Sequence, residues 1–229
     1  MHSGSPWLFR QFRFVVLRKY VDFSRRLRVL DVGCGQFSPA LTLEEMPSCE
    51  YHAVDLIDRS EMVSRFGAEM AARYTQLDLE KDGLAVLSGQ RFDVVVIAHV
   101  LEHIANGLEV LSQAAALVAP GGVLFVEYPR LASVNLPNMS NTLNFHDDPT
   151  HKRFYDLVDV ANVMLEAGLE VRAARVRRLW RRIVLLPFGV LYSLVRYRRL
   201  RGTIFWDVLK FAEFAVGVRP ASRASRVQL

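Results

Sequence analysis

Cysteine is scarce in this chain: Cys34 and Cys49 are the two in 229 residues. Two are too few for a disulfide framework or a cysteine-based metal site, and a reducing cytoplasm fits them. A clean signal-type apolar core is missing from the N-terminal stretch, which Arg10, Arg13, Arg18 and Lys19 interrupt, so no secretory signal is expected. An apolar run long enough to cross a bilayer is missing as well. The charge-free run Ile183–Val195 has thirteen residues, where a spanning helix needs roughly 20. Acidic residues are absent from 171–201, which carries ten arginines.

Hydrophobic residues make up 51% of the chain, enough for one α/β domain with additions. The formal net charge of +5 hides a partition. Residues 1–30 hold seven basic residues and one acid, 31–170 hold eight and twenty-one, and 202–229 hold four and two. An acidic block is thus flanked by two basic, apolar-rich segments, which points to an anionic surface as partner. Arginines stand on both sides of Ile183–Val195, which argues against a simple span. A monotopic or re-entrant insertion fits, with the arginines at headgroup level; a cap on the core or a dimer interface is the alternative.

Residues 7–27 have apolar side chains at helical spacing (Leu8, Phe9, Phe12, Val16, Tyr20, Phe23, Leu27), opposite Arg10, Arg18, Asp22, Arg25 and Arg26. This predicts an amphipathic helix that either packs on the domain or acts as a lid or membrane-surface helix. Strands are predicted at 28–32, 51–54, 73–77, 92–97, 122–127, 168–178 and 213–219, and helices near 38–46, 59–71, 107–118 and 156–167. Alternating strands and helices imply a parallel sheet covered on both faces. The expected organisation is an N-terminal helical segment 1–27, a core 28–178, a basic apolar insertion 179–212, and a last strand with its tail, 213–229.

The most informative motif is V-L-D-V-G-C-G at 29–35, an apolar strand ending in a glycine turn ahead of a helix. That is where an α/β fold takes a nucleotide-like ligand. The third glycine of the dinucleotide fingerprint is absent, because Gln36-Phe37-Ser38 follows. Asp31 at the strand end would repel a pyrophosphate and favour a cationic ligand. The motif resembles motif I of class I S-adenosylmethionine-dependent methyltransferases, and the resemblance continues in register through A-V-D-L (53–56), L-D-L-E (77–80), F-D-V-V-V-I-A-H-V-L-E-H-I (92–104) and L-V-A-P-G-G-V-L-F-V-E-Y-P (117–129). It covers roughly residues 28–170 and implies a Rossmann-like seven-stranded sheet of order 3-2-1-4-5-7-6, mostly parallel with an antiparallel last strand. S-adenosyl-L-methionine is the implied cofactor. Asp31, Gly33, Cys34, Gly35, Asp55, Leu56, Asp78, Leu79, Ala98 and His99 are its implied surroundings, with Asp55 at the ribose diol and Asp78 at the adenine amino group.

Transfer of a methyl group to a high-pKa oxygen needs a general base. His151 is the first candidate and His146 the next, both in N-F-H-D-D-P-T-H-K-R-F-Y (144–155), which resembles a D-P-T-H segment of bacterial members linked to sugar and cell-envelope chemistry. Tyr128, Asp148 and Tyr155 are the expected acceptor contacts. Asp147, Asp148 and the histidines could hold a metal, but their spacing is not diagnostic and none is expected. His103 reads as a capping or core residue. The D/N-P-P-Y/F motif of base-amino methyltransferases is missing; Ala98-His99-Val100-Leu101 stands in its place, which disfavours nucleic acid as acceptor. The expected reaction is O-methylation of a glycan or lipid-linked sugar at the inner membrane face. A quinone-like or small-molecule acceptor, and a non-catalytic binding module, are the alternatives.

Overall fold

The computed structural model describes residues 10–221. Its centre is a sheet of seven strands: β1 (Arg28–Val32), β2 (Glu50–Asp55), β3 (Tyr74–Gln76), β4 (Phe92–Ala98), β5 (Val118–Pro129), β6 (Glu170–Val176) and β7 (Ala212–Val218). The order is β3-β2-β1-β4-β5-β7-β6. The first five strands run parallel, and β7 lies antiparallel to both β5 and β6. This is the Rossmann-like sheet that the resemblance implied.

Alternation along the strands divides the core between two faces. On β4, Val95 and Ile97 pack on one face with Leu30 and Val32 of β1. Val94 and Val96 pack on the other with Val29. The first face is covered by α5 (Gly107–Ala116) and α6 (Leu157–Glu166), through Val110, Leu111, Val160 and Met164. The second is covered by α1 (Phe12–Leu17), α2 (Ser38–Glu45) and α3 (Arg59–Phe66). Phe12 meets Phe214 edge to face at 4.9 Å, and Met62 is fully enclosed.

Three expectations are corrected. The helix expected over 7–27 is helical only at Phe12–Leu17 among the described residues; Trp7, Leu8 and Phe9 lie outside them. Packing on the sheet is the role α1 has, since Phe12, Phe14, Val16 and Leu17 are buried. The helix expected over 59–71 is two, α3 and α4 (Ala68–Ala71), divided at Gly67 with φ +84°. The strand expected at 122–127 starts earlier, and β5 runs through the glycine pair to Pro129.

Between β6 and β7 the chain forms α7 (Trp180–Val184), α8 (Leu186–Tyr197), a 3-10 turn at Gly202–Phe205 and α9 (Trp206–Leu209). Pro187 sits in the first turn of α8, where its missing N–H is harmless. Val184, Phe188, Leu191 and Val195 recur at helical spacing and are exposed, with Tyr192 beside them. Charge-free and apolar in sequence, this segment turns those side chains to solvent. No helix among the described residues is long and apolar enough to cross a membrane.

Candidate active site

The turn after β1 places Gly33 and Gly35 at φ +67° and +55°. A Cβ on Gly33 would lie 2.3 Å from Val100 Cγ2, whereas one on Gly35 would meet nothing within 4 Å. Backbone N–H groups fasten the turn to β2: Gly33 donates to the Val54 carbonyl at 2.8 Å, and Gly35 to Asp55 Oδ2 at 2.7 Å. Asp55 Oδ1 accepts from Ile57 N–H at 3.2 Å. These bonds fix the carboxylate at the end of β2 and leave lone pairs for a vicinal diol. Leu56 is 65% exposed and Phe37, at the start of α2, 72% exposed. Large apolar groups left open beside the turn suit a flat aromatic ring.

Asp78 accepts from Lys81 at 2.9 Å and from Glu80 N–H at 3.1 Å. The Lys81 hydrogen bond leads in holding its carboxyl below the ordinary range. Leu79, expected beside it in the pocket, is buried in the core. Cys34 is buried, and burial pushes its thiol far above the ordinary range, so it is inert.

Asp31 is also interior. Its Oδ2 accepts from Tyr51 at 2.8 Å and from Ser38. Burial raises its pKa, and the nearby Arg13 is the leading influence in the opposite sense. Arg13 is the residue that sequence reasoning missed here. Its guanidinium is buried over the Phe14 ring at 4.6 Å, and its Nε and Nη2 have no hydrogen-bond partner among the described residues. A buried cation with open donors beside the glycine turn suits the carboxylate of an amino acid moiety. The available signal was its place between Phe12 and Phe14, which is unusual for a solvated arginine.

At the end of β4, Ala98 is half-buried and His99 has φ +56°. His99 Nδ1 lies 3.2 Å from Glu102 Oε1, and Nε2 lies 3.3 Å from Glu127 Oε1. Burial opposes the imidazolium, but the two carboxylates outweigh it and raise His99 to about 9. Glu127 also accepts from Arg177 at 2.5 Å. Burial opposes its charge, yet Arg177 and His99 hold it down at about 2. Arg177 pairs with Asp207 of α9 through Nε at 3.2 Å and Nη2 at 3.3 Å. Trp206 packs at 4.8 Å from both His99 and Phe211. The insertion is therefore joined to the end of β4 by a buried ionic chain and an aromatic stack. Arg177 falls at the end of a predicted strand in sequence; its charged partners, Glu127 and Asp207, come from two distant segments, which no local pattern reveals.

The segment after β5 returns to β4. The Glu102 carbonyl accepts from Lys152 N–H at 2.7 Å and Arg153 N–H at 3.2 Å. His151 is thereby set against His103, ring centroids 4.8 Å apart. His146 is exposed and lies edge-on to Phe145. Asp148 Oδ1 accepts from Thr150 N–H at 2.9 Å and Oγ1 at 2.6 Å; Asp147 Oδ2 accepts three backbone N–H groups, from Met139, Leu143 and Asn144. Both aspartates brace the loop. Tyr128 and Tyr155, expected at the acceptor, are interior. Tyr155 donates to the Ile104 carbonyl at 2.5 Å and accepts from Gly107 N–H at 2.9 Å, clamping α5 to the loop.

A doubly wound sheet of this order, with a glycine turn after β1 and an acid closing β2, is the architecture of class I S-adenosylmethionine-dependent methyltransferases. The chain belongs to the methyltransferase domain family, which matches residues 9–174. A ubiquinone biosynthesis O-methyltransferase of Bordetella avium is 32% identical over 101 residues, 43% of this chain and 41% of the relative. One of Neisseria meningitidis is 26% identical over 155 residues, 64% and 65% of the two. The chain thus spans between 41% and 65% of the length of these two curated relatives. A methyltransferase structure from Mesorhizobium loti superposes with a TM-score of 0.64 at 14% identity, covering 93% of this chain and 100% of that one. The N-methyltransferase NodS of Bradyrhizobium japonicum, in complex with S-adenosyl-L-homocysteine, gives 0.54 at 16%, covering 94% and 92%. S-adenosylmethionine is the cofactor, and it supplies a methyl group on a sulfonium.

Proposed function

We propose that the chain O-methylates a hydroxyl of a lipophilic small molecule met at an anionic membrane surface. The observation that carries this is the apolar face of α7 and α8. It borders a groove of about 900 Å³ lined by Leu185, Leu186, Phe188, Tyr192, Ile204 and Arg182. The same insertion is joined to the end of β4 through Asp207, Arg177 and Glu127. An apolar acceptor tail in the groove and arginines among anionic headgroups use both properties of the segment. Relatives named as O-methyltransferases of ubiquinone biosynthesis support a lipophilic acceptor over a glycan.

The work of the residues is positional. Gly33 lets Val100 pack against the turn and fixes its shape, Asp55 holds the ribose diol, and Arg13 takes the carboxylate. His151 acts on the acceptor proton. Its Nδ1 lies 2.6 Å from the Phe145 carbonyl, which can only accept, so Nδ1 carries the hydrogen and Nε2 presents a lone pair. His151→Ala should lower turnover at least about 100-fold with cofactor affinity unchanged in calorimetry. For the acceptor, methyl-labelled cofactor is incubated with fractionated cell-envelope extract. Label in the organic, lipid phase is the expected result; label confined to water-soluble glycan overturns the reading in favour of a sugar acceptor.

A further inference from the structure

We propose that Glu102, His103 and His151 form a site for one divalent transition-metal ion, with Zn²⁺ the best match to the donors. Their ligand atoms lie within 4.8 Å of one another. The second observation is Glu102 Oε2. Its residue is 1% exposed, its other oxygen is occupied by His99, and Oε2 has no hydrogen-bond partner among the described residues. A buried carboxylate oxygen left without a donor is unfavourable, and a cation there removes the penalty.

Both imidazoles are in the tautomer a metal requires. His151 gives its Nδ1 hydrogen to the Phe145 carbonyl at 2.6 Å. Thr150 Oγ1 has one hydrogen, and Asp148 Oδ1 receives it at 2.6 Å. The 2.9 Å contact between Thr150 Oγ1 and His103 Nδ1 is therefore donated by the histidine. Nε2 of each ring is left with its lone pair, and each Nδ1–H is held by a carbonyl or by a hydroxyl bound to a carboxylate. That is the outer arrangement usual for metal-bound histidine. Donors around Zn²⁺ stand about 3.3 Å apart, so no pair of donors has to close by more than about 1.5 Å on binding. Two imidazoles and one carboxylate favour a transition metal over Mg²⁺ or Ca²⁺, which take oxygen ligands. Three protein ligands leave a coordination position open.

The inference deepens the acceptor reading of His151: an ion on its Nε2 would replace proton abstraction by acidification of a bound acceptor hydroxyl, whose O–H proton would pass to bulk water as the metal-held alkoxide forms. The test is equilibrium binding to the full chain after chelator treatment and dialysis. Zn²⁺ is titrated in competition with a chromophoric chelator, and Co²⁺ is followed by its visible ligand-field bands. One ion per chain is expected, with affinity reduced at least about tenfold in His103→Ala and in His151→Ala separately. Unchanged melting temperature and cofactor affinity verify that the variants fold. No binding by the wild type, or equal binding by both variants, overturns the site. Loss of turnover in His151→Ala with no ion bound by the wild type would leave the direct base role standing and remove the metal. Ion binding lost in the variants, with no label entering lipid, would keep the site and remove the acceptor.

Discussion

At Gly33 the requirement is set twice, by a left-handed φ and by Val100, whose Cγ2 would lie 2.3 Å from a new Cβ. At Gly35, also left-handed, the space is open. The two glycines of one turn are therefore not equivalent. Gly35→Ala should cost about 1–2 kcal/mol, the backbone penalty alone. Gly33→Ala adds overpacking of about 1–3 kcal/mol and displaces the turn. Chemical denaturation of the two variants should rank them in that order, and calorimetry should find cofactor binding impaired more by Gly33→Ala. Asp55→Ala tests the other half of the cradle. It removes both the diol acceptor and the Gly35 hydrogen bond, so cofactor affinity should fall at least about tenfold in calorimetry, one to two hydrogen bonds to a charged acceptor.

The motif residues could be read in order along the chain because a strand end and the turn after it are local. What stayed hidden at this scale is burial. Asp31, Leu79, Tyr128 and Tyr155 are expected at the site from their places in the chain, yet they are interior, because neighbours far away in the chain cover them.

Among the elements, α8 is the one whose environment sequence alone leaves undecided. Its apolar run could have been a core cap, but the structure leaves Val184, Phe188, Leu191 and Val195 open. Replacing Phe188 and Leu191 by Asp puts two charges on that face without touching a buried contact. Flotation with phosphatidylglycerol vesicles should recover the wild type and not the Phe188→Asp/Leu191→Asp variant, while melting temperature stays within about 0.5 kcal/mol of equivalent stability, as for other surface changes. Equal recovery of both proteins would exclude this face as the membrane contact. The shortening of α1 has a related cause. Its apolar residues continue to Phe23, but hydrogen bonds of Lys19 and Tyr20 to carbonyls three residues back tighten the chain into turns. Phe23 still reaches the core, so apolar spacing survives where the helix does not.

For the whole molecule, the chain Glu102–His99–Glu127–Arg177–Asp207 links β4, β5, β6 and the insertion. Its titration has a defined sign. His99 is raised to about 9 in the folded protein, against about 6.5 when unfolded. Its contribution to stability is complete below pH 6.5 and is lost as pH rises through about 9. Glu127, held at about 2, contributes above its unfolded value and loses that contribution as pH falls toward 2. Scanning calorimetry should therefore record a decline in wild-type melting temperature between pH 6.5 and 9 that is flatter in His99→Gln. A buried pair broken from one side leaves an unpaired charge, so Arg177→Met should destabilise by about 3–5 kcal/mol in denaturant titration.

By itself the sequence determined the strand–helix alternation, because that depends on residues close together in the chain; the sheet order and the cofactor followed from the family resemblance that its motifs carry. The tertiary structure alone decided which charged groups are buried with which partners. It made Arg13 and Arg177 interior, set His151 against His103 and Glu102, and left the face of α8 open. Those outcomes depend on segments that meet only when the sheet is assembled: β4 with the loop after β5, and β6 with the insertion beyond it. Spacing along a chain carries no record of such meetings, and burial, which sets the charge state of His99 and the lone pair left on Glu102, follows from them.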